Sequence, residues 1–234
     1  MYVILPFEKK FYEDKHHFPV EFVGHPLIDA IYNQPIVDPV LFRKENQLND
    51  KPIIAILPGS RKQEITKMLA VMLSVVNDFP DHQFVIAGAP SQEFSFYQKF
   101  ITQENIKFIS NKTYDLLRNA TAALVTSGTA TLETALFKVP EVVCYKGSWA
   151  SYQIAKRIIT LKYISLVNLI MDEEVVTELI QEECNTKRIR EELQKTLKTN
   201  DRNTLLEKYA LLEEKLGGIG ASEKTATLIV NDLK

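Results

Sequence analysis

Arg61 stands in the run Leu57-Pro58-Gly59-Ser60-Arg61, directly after the apolar stretch Ile53 to Leu57, and Ser127-Gly128-Thr129 follows a second apolar stretch ending at Val125. Each pattern reads as a buried strand, a small-residue turn and a helix start. The first backbone N–H groups of a helix have no internal partner and the helix dipole puts partial positive charge there, so such a junction satisfies an anion. Gly59 permits close approach of the backbone, Ser60 suits an N-cap, and Arg61 adds a donor fork and a full charge. A cation in a first helical turn opposes the dipole, which an anion offsets; without one, Arg61 is a surface residue after an ordinary cap. Two junctions in one α/β unit point to a diphosphate held between them.

Glu133 falls about one turn inside the second helix, set back from the phosphate position. An acceptor-only carboxylate at that depth suits ribose hydroxyls; as a first-turn acid it would only complement the dipole, and spacing alone allows both. Gly88, before Ala89-Pro90, ends a strand and either lines the nucleotide pocket or makes a plain turn. Tyr145 and Lys146 also follow a strand, where Lys146 is either a phosphate contact or a solvated charge. His25, in Gly24-His25-Pro26, reads as a structural hydrogen-bonding residue, with contact to a donor or hinge as the other role. His16-His17 lack partners at metal spacing, no Asp-x-Asp pair occurs, and Cys144 and Cys184 have no metal-type spacing, so no metal and no cofactor is expected and both thiols read as reduced.

The elements that must position these residues alternate. Strands at 53–57, 83–87, 106–109, 122–125 and 141–145 are separated by helices at 63–77, 93–102, 113–119 and 129–137, which predicts a Rossmann-like doubly wound parallel sheet. Residues from Ser148 on read as helical, with helices at 186–197 and 201–216, a break at Gly217-Gly218-Ile219-Gly220 and a last helix from Ser222 to Leu233. The segment Trp149, Tyr152, Ile154, Ile158, Ile159 and Leu161, with Lys156, Arg157 and Lys162, is amphipathic and suits either a core-facing helix or a membrane or partner surface.

The 234 residues suffice for a buried core, and 45% hydrophobic with 25% charged residues is ordinary for a globular chain. A formal net charge of −2 gives no whole-chain attraction to nucleic acid or anionic lipid. No apolar run approaches the ~20 residues of a membrane helix.

Leu57-Pro58-Gly59-Ser60-Arg61, Val23-Gly24-His25-Pro26-Leu27, Thr126-Ser127-Gly128-Thr129-Ala130-Thr131-Leu132-Glu133, Ser165-Leu166-Val167-Asn168-Leu169 and Glu178-Leu179-Ile180-Gln181-Glu182-Glu183-Cys184 together resemble the lipid-A-disaccharide synthase family, in order and spacing across the chain. Val167 departs from the family's frequent Pro. The resemblance implies the C-terminal, donor-binding portion of a GT-B glycosyltransferase that transfers 2,3-diacylglucosamine from UDP-2,3-diacylglucosamine to 2,3-diacylglucosamine 1-phosphate with inversion, in lipid A biosynthesis. It assigns Gly59, Ser60, Arg61, Ser127, Gly128 and Thr129 to the diphosphate, Glu133 to the ribose and Asn168 to the donor sugar or phosphate. The expected organisation is residues 1–32 as a remnant of an N-terminal acceptor domain and crossover, 33–51 as linker, 52–216 as the UDP-sugar domain and 217–234 as a C-terminal helix. The catalytic base is expected in the absent N-terminal domain, so the chain alone is expected to be inactive. A cytoplasmic enzyme peripheral on the inner membrane is implied, and a homodimer is compatible with it. Two other classes share the helix-start pattern: a UDP-N-acetylglucosamine 2-epimerase-like enzyme and a non-catalytic nucleotide-binding module.

Overall fold

The structure is a computed structural model and describes residues 1–147, 162–198 and 202–233. The amphipathic segment at 149–161 lies outside these residues.

Six strands form one parallel sheet: β3 (Ile53–Leu57), β4 (Gln83–Gly88), β5 (Ile106–Ser110), β6 (Ala120–Thr126), β7 (Glu141–Tyr145) and β8 (Thr177–Ile180), in the order β5-β4-β3-β6-β7-β8. A separate parallel pair joins β1 (Tyr2–Val3) to β2 (Glu21–Phe22) around α1 (Pro6–His16). β3 is buried along its whole length, and its period-2 side chains feed two cores. Ile54 and Ile56 pack with Phe84 and Ile86 beneath Ile65, Met68, Leu69 and Met72 of α4 (Lys62–Met72). Ile53, Ala55 and Leu57 pack on the opposite face with Val85, Leu116 and Leu117 of α6 (Thr113–Asn119) and Phe42 of α3 (Pro39–Glu45). Helices on both faces make the sheet doubly wound, as the alternation of strands and helices predicts. The third cluster joins Leu132 and Ala135 of α7 (Thr129–Leu136) to Leu27 and Ile28 of α2 (Pro26–Tyr32), Val167 of α8 (Leu166–Met171), and Tyr209 and Leu212 of α10 (Arg202–Lys215).

Several boundaries differ from expectation. The helix expected at 63–77 is α-helical only to Met72 and continues as a 3₁₀ turn over Leu73–Asp78, where Ser74, Val75, Val76, Asn77 and Asp78 are weak helix formers. The helix expected at 93–102 is the short α5, Phe94–Gln98. The C-terminal region is not wholly helical, because β8 adds the sixth strand. Its sequence, Thr-Glu-Leu-Ile, has only one fully buried residue, so it carries no apolar run. Its Glu178 accepts hydrogen bonds from Ile164 N at 2.9 Å and Ser165 N at 2.9 Å. Helices α9 (Thr186–Thr196) and α11 (Ala221–Asp232) complete the chain. Gly220 N and Ser222 N donate to the two oxygens of Asp29 at 2.7 and 2.8 Å, tying the start of α11 to α2.

Candidate functional site

In an open parallel sheet, ligands sit beyond the carboxyl ends of the strands where the chain leaves in opposite directions. Here that point lies between the neighbours β3 and β6, whose ends pair as Leu57 with Val125. A cavity of about 500 Å³ opens there. Its wall combines Gly59, Ser60 and Arg61, Gly88 to Pro90, and Ser127 to Ala130 with Glu133. The structure thus brings together seven of the eight principal site residues from the sequence. Both helix N-termini, of α4 and α7, belong to its lining.

Arg61, not Ser60, takes the N-cap position of α4, with extended backbone (φ −90°, ψ 136°) and no side-chain cap. Ser60 N instead donates to Glu64 Oε2 at 3.1 Å, and Ser60 O accepts from Ser91 Oγ at 3.0 Å, which links the loops after β3 and β4. Gly59 has φ +98° and Gly128 φ +150°, conformations that favour glycine at both turns. Arg61 is exposed and makes no ion pair among the described residues. Thr126, 3% exposed at the end of β6, lines the cavity with a hydroxyl that has no hydrogen-bond partner among the described residues.

Glu133 is half-buried in α7. Burial raises its pKa, an effect opposed by the hydroxyl of Tyr114, which donates to Oε1 at 3.0 Å. Burial first, and then the Glu133 charge, push the Tyr114 phenol well up. The bond fixes one carboxylate oxygen and leaves Oε2 without a hydrogen bond among the described residues. Gly88 closes against Phe108, whose ring a Cβ at that position would strike.

Asn168 lies elsewhere. It is fully buried and does not line the cavity. Its Nδ2 donates to Val176 O at 2.8 Å and Glu178 Oε1 at 2.9 Å, and its Oδ1 accepts from Val175 N at 2.8 Å and Val176 N at 3.0 Å. With the amide engaged on four bonds, its visible work is to hold the turn before β8. A chain of bonds runs from it to the cavity, through Glu178 to Ile164 N and from Ile164 O to Ser127 Oγ at 2.8 Å. His25 caps α2, its Nδ1 accepting from Leu27 N at 3.2 Å; burial lowers its pKa. Tyr145 ends β7 and Lys146 follows it, and neither is part of the cavity wall. Among the described residues no three His, Cys, Asp or Glu side chains converge as a metal site would need.

Tyr114, Thr126 and Glu64 belong to the site and were given no role by sequence reasoning. Tyr114 is in the first turn of the helix after β5, Thr126 ends β6 and Glu64 is an acid in the first turn of α4, so position relative to strand ends was the available signal.

The family model described as lipid-A-disaccharide synthetase (LpxB) matches residues 1–228. This chain belongs to the lipid-A-disaccharide synthase family. The lipid-A-disaccharide synthase of Idiomarina loihiensis is 37% identical over 240 residues, an alignment covering 97% of this chain and 61% of that protein. The chain therefore spans about three-fifths of the length of the family relatives it matches. Among solved structures, the S. aureus MnaA–UDP co-structure superimposes with a TM-score of 0.64 at 16% identity, covering 95% of this chain and 57% of that one. UDP-GlcNAc 2-epimerase from Neisseria meningitidis bound to UDP-GlcNAc gives 0.59 at 14% identity, covering 97% and 60%. At those identities the likeness shows the fold, the Rossmann-like half of a GT-B architecture. Among the described residues no helix is long and apolar enough to cross a membrane.

Proposed function

We propose that this chain carries the UDP-sugar side of a glycosyltransferase that moves 2,3-diacylglucosamine from UDP-2,3-diacylglucosamine to 2,3-diacylglucosamine 1-phosphate. The observation that carries this reading is the convergence of two helix N-termini, Arg61 and Glu133 on one cavity, in a chain of the lipid-A-disaccharide synthase family. Residues 52–216 form the donor-binding unit in this reading, and the acceptor and its base come from the part of the relatives' length that the chain does not match.

The acceptor's 6-hydroxyl oxygen attacks the anomeric carbon as the bond from that carbon to the β-phosphate oxygen breaks, with inversion. The hydroxyl proton passes to the base and UDP departs with the bonding electrons. Negative charge grows on the β-phosphate, where the ends of α4 and α7 supply about half a charge each and Arg61 a full one. That field does the work of a bound metal, so the reaction proceeds without one. Glu133 Oε2 accepts from the ribose hydroxyls while Tyr114 holds Oε1, and the Thr126 hydroxyl gains a partner at the diphosphate. Asn168 positions the Ser127 loop. The acyl chains of both substrates require work at the inner-membrane surface.

The alternative 2-epimerase reading shares the helix-start pattern and the fold, the latter at 14% identity, against 37% identity to a lipid-A-disaccharide synthase. Titration calorimetry of the chain with UDP, with and without EDTA, tests the donor site. Equal affinities in the two buffers are expected. No heat at millimolar UDP from a chain with intact circular dichroism would refute it.

A further inference from the structure

Glu64 stands on α4, three residues after Arg61 and within the cavity wall. An acid there ordinarily bonds back to the N–H of the N-cap residue itself. Glu64 reaches one residue further out. Its Oε2 takes the N–H of Ser60, and its carboxylate lies so close over Gly59 that a Cβ on that glycine would overlap its oxygen and two of its carbons. The left-handed Gly59 lets the chain bring the Ser60 N–H onto this one carboxylate, which makes that N–H an anion seat in the cavity wall. The Thr126 hydroxyl in the same cavity wall is buried and has no hydrogen-bond partner among the described residues.

We infer that Glu64 is a tethered stand-in for the donor's diphosphate, seated on the Gly59–Ser60 backbone and displaced when the nucleotide enters. The inference rests on the donor-site reading above. A carboxylate and a phosphate oxygen use the same N–H donor and repel each other, so they cannot share the seat. Phosphate binding must first free the Ser60 N–H, and only the fraction of molecules with Glu64 swung out is competent, which lowers apparent affinity by that fraction. Uridine, which has no phosphate, does not meet this competition. The device holds the loop in its ligand-bound shape while empty and favours ligands carrying enough charge to evict the acid.

The test compares UDP and uridine binding by calorimetry in the 234-residue chain and its Glu64→Gln and Glu64→Ala variants, with circular dichroism confirming the fold of each. Glu64→Gln, which keeps size and helix position, is expected to tighten UDP on the order of tenfold and leave uridine unchanged. Glu64→Ala is expected to tighten UDP at least as much. Wild-type binding of UDP with no gain, or a loss, in both folded variants would overturn the inference while leaving the donor site standing. Absence of UDP binding to all three chains would instead remove the donor site itself.

Discussion

The Tyr114 hydroxyl donates to Glu133 Oε1 at 3.0 Å, joining the first turn of α6 to the second turn of α7. The bond favours the ionised carboxylate that burial disfavours. In the proposed site the ionised Glu133 accepts the ribose hydroxyls, so affinity is expected to fall as pH drops toward the raised pKa. Tyr114→Phe removes the opposing bond and moves the pKa higher still. Uridine and UDP affinities of this variant are expected to weaken by about 0.5–1.5 kcal/mol at neutral pH, and to decline on acidification from a higher pH than in the wild type. Calorimetric titrations between pH 5 and 8 read both effects; coincident pH profiles would separate Tyr114 from the ribose site.

In the proposed donor site Arg61 takes the phosphates and Glu133 the ribose. Arg61→Ala is expected to weaken UDP by about 1.5–3 kcal/mol and leave uridine unchanged, since it removes a charge-assisted phosphate contact. Glu133→Ala is expected to weaken both ligands by one similar factor. Equal effects of the two variants on uridine would break the division.

Asn168 acts through the fold. Asn168→Ala removes the side-chain partner of Val176 N and Val176 O in the turn before β8, while Val175 N keeps Glu173 O at 3.1 Å, at an expected cost of about 2–3 kcal/mol in urea unfolding. Loss of UDP affinity with no loss of stability would point to direct contact with the donor instead.

Glu141 begins β7 fully buried, with neither carboxylate oxygen hydrogen-bonded among the described residues, and burial raises its pKa well above the ordinary value. Between the ordinary and the raised pKa the native chain holds a proton that the unfolded chain releases, so stability falls as pH rises through that window. Glu141→Gln removes this dependence. The variant's advantage in urea unfolding is expected to grow between pH 5 and pH 8; a constant or shrinking difference would contradict the assignment.

The central strands were legible because Ile53 to Leu57 and Ala122 to Val125 are unbroken apolar runs, and only a strand covered on both faces demands that. β8 was not, because a four-residue strand carrying Glu178 has no such pattern. The two strand–turn–helix junctions were legible since an apolar run followed by a glycine and a small polar residue marks a strand end and a helix start. The Tyr114–Glu133 and Ser60–Glu64 bonds were hidden for different reasons. The first joins α6 to α7, helices that follow β5 and β6, strands that are not neighbours in the sheet, and the second depends on a helix beginning one residue later than the serine predicts. The resemblance assigned Asn168 to the donor, and nothing in Ser165-Leu166-Val167-Asn168 shows the turn before β8 that its amide holds.

The most direct measurement is a crystal structure of the chain with UDP. The account predicts the diphosphate between the N-termini of α4 and α7, with its oxygens within hydrogen-bond distance of Arg61 and the Gly128–Thr129 backbone and the ribose hydroxyls on Glu133. UDP bound outside the β3–β6 cavity, or within it with the ribose turned away from Glu133, would contradict it.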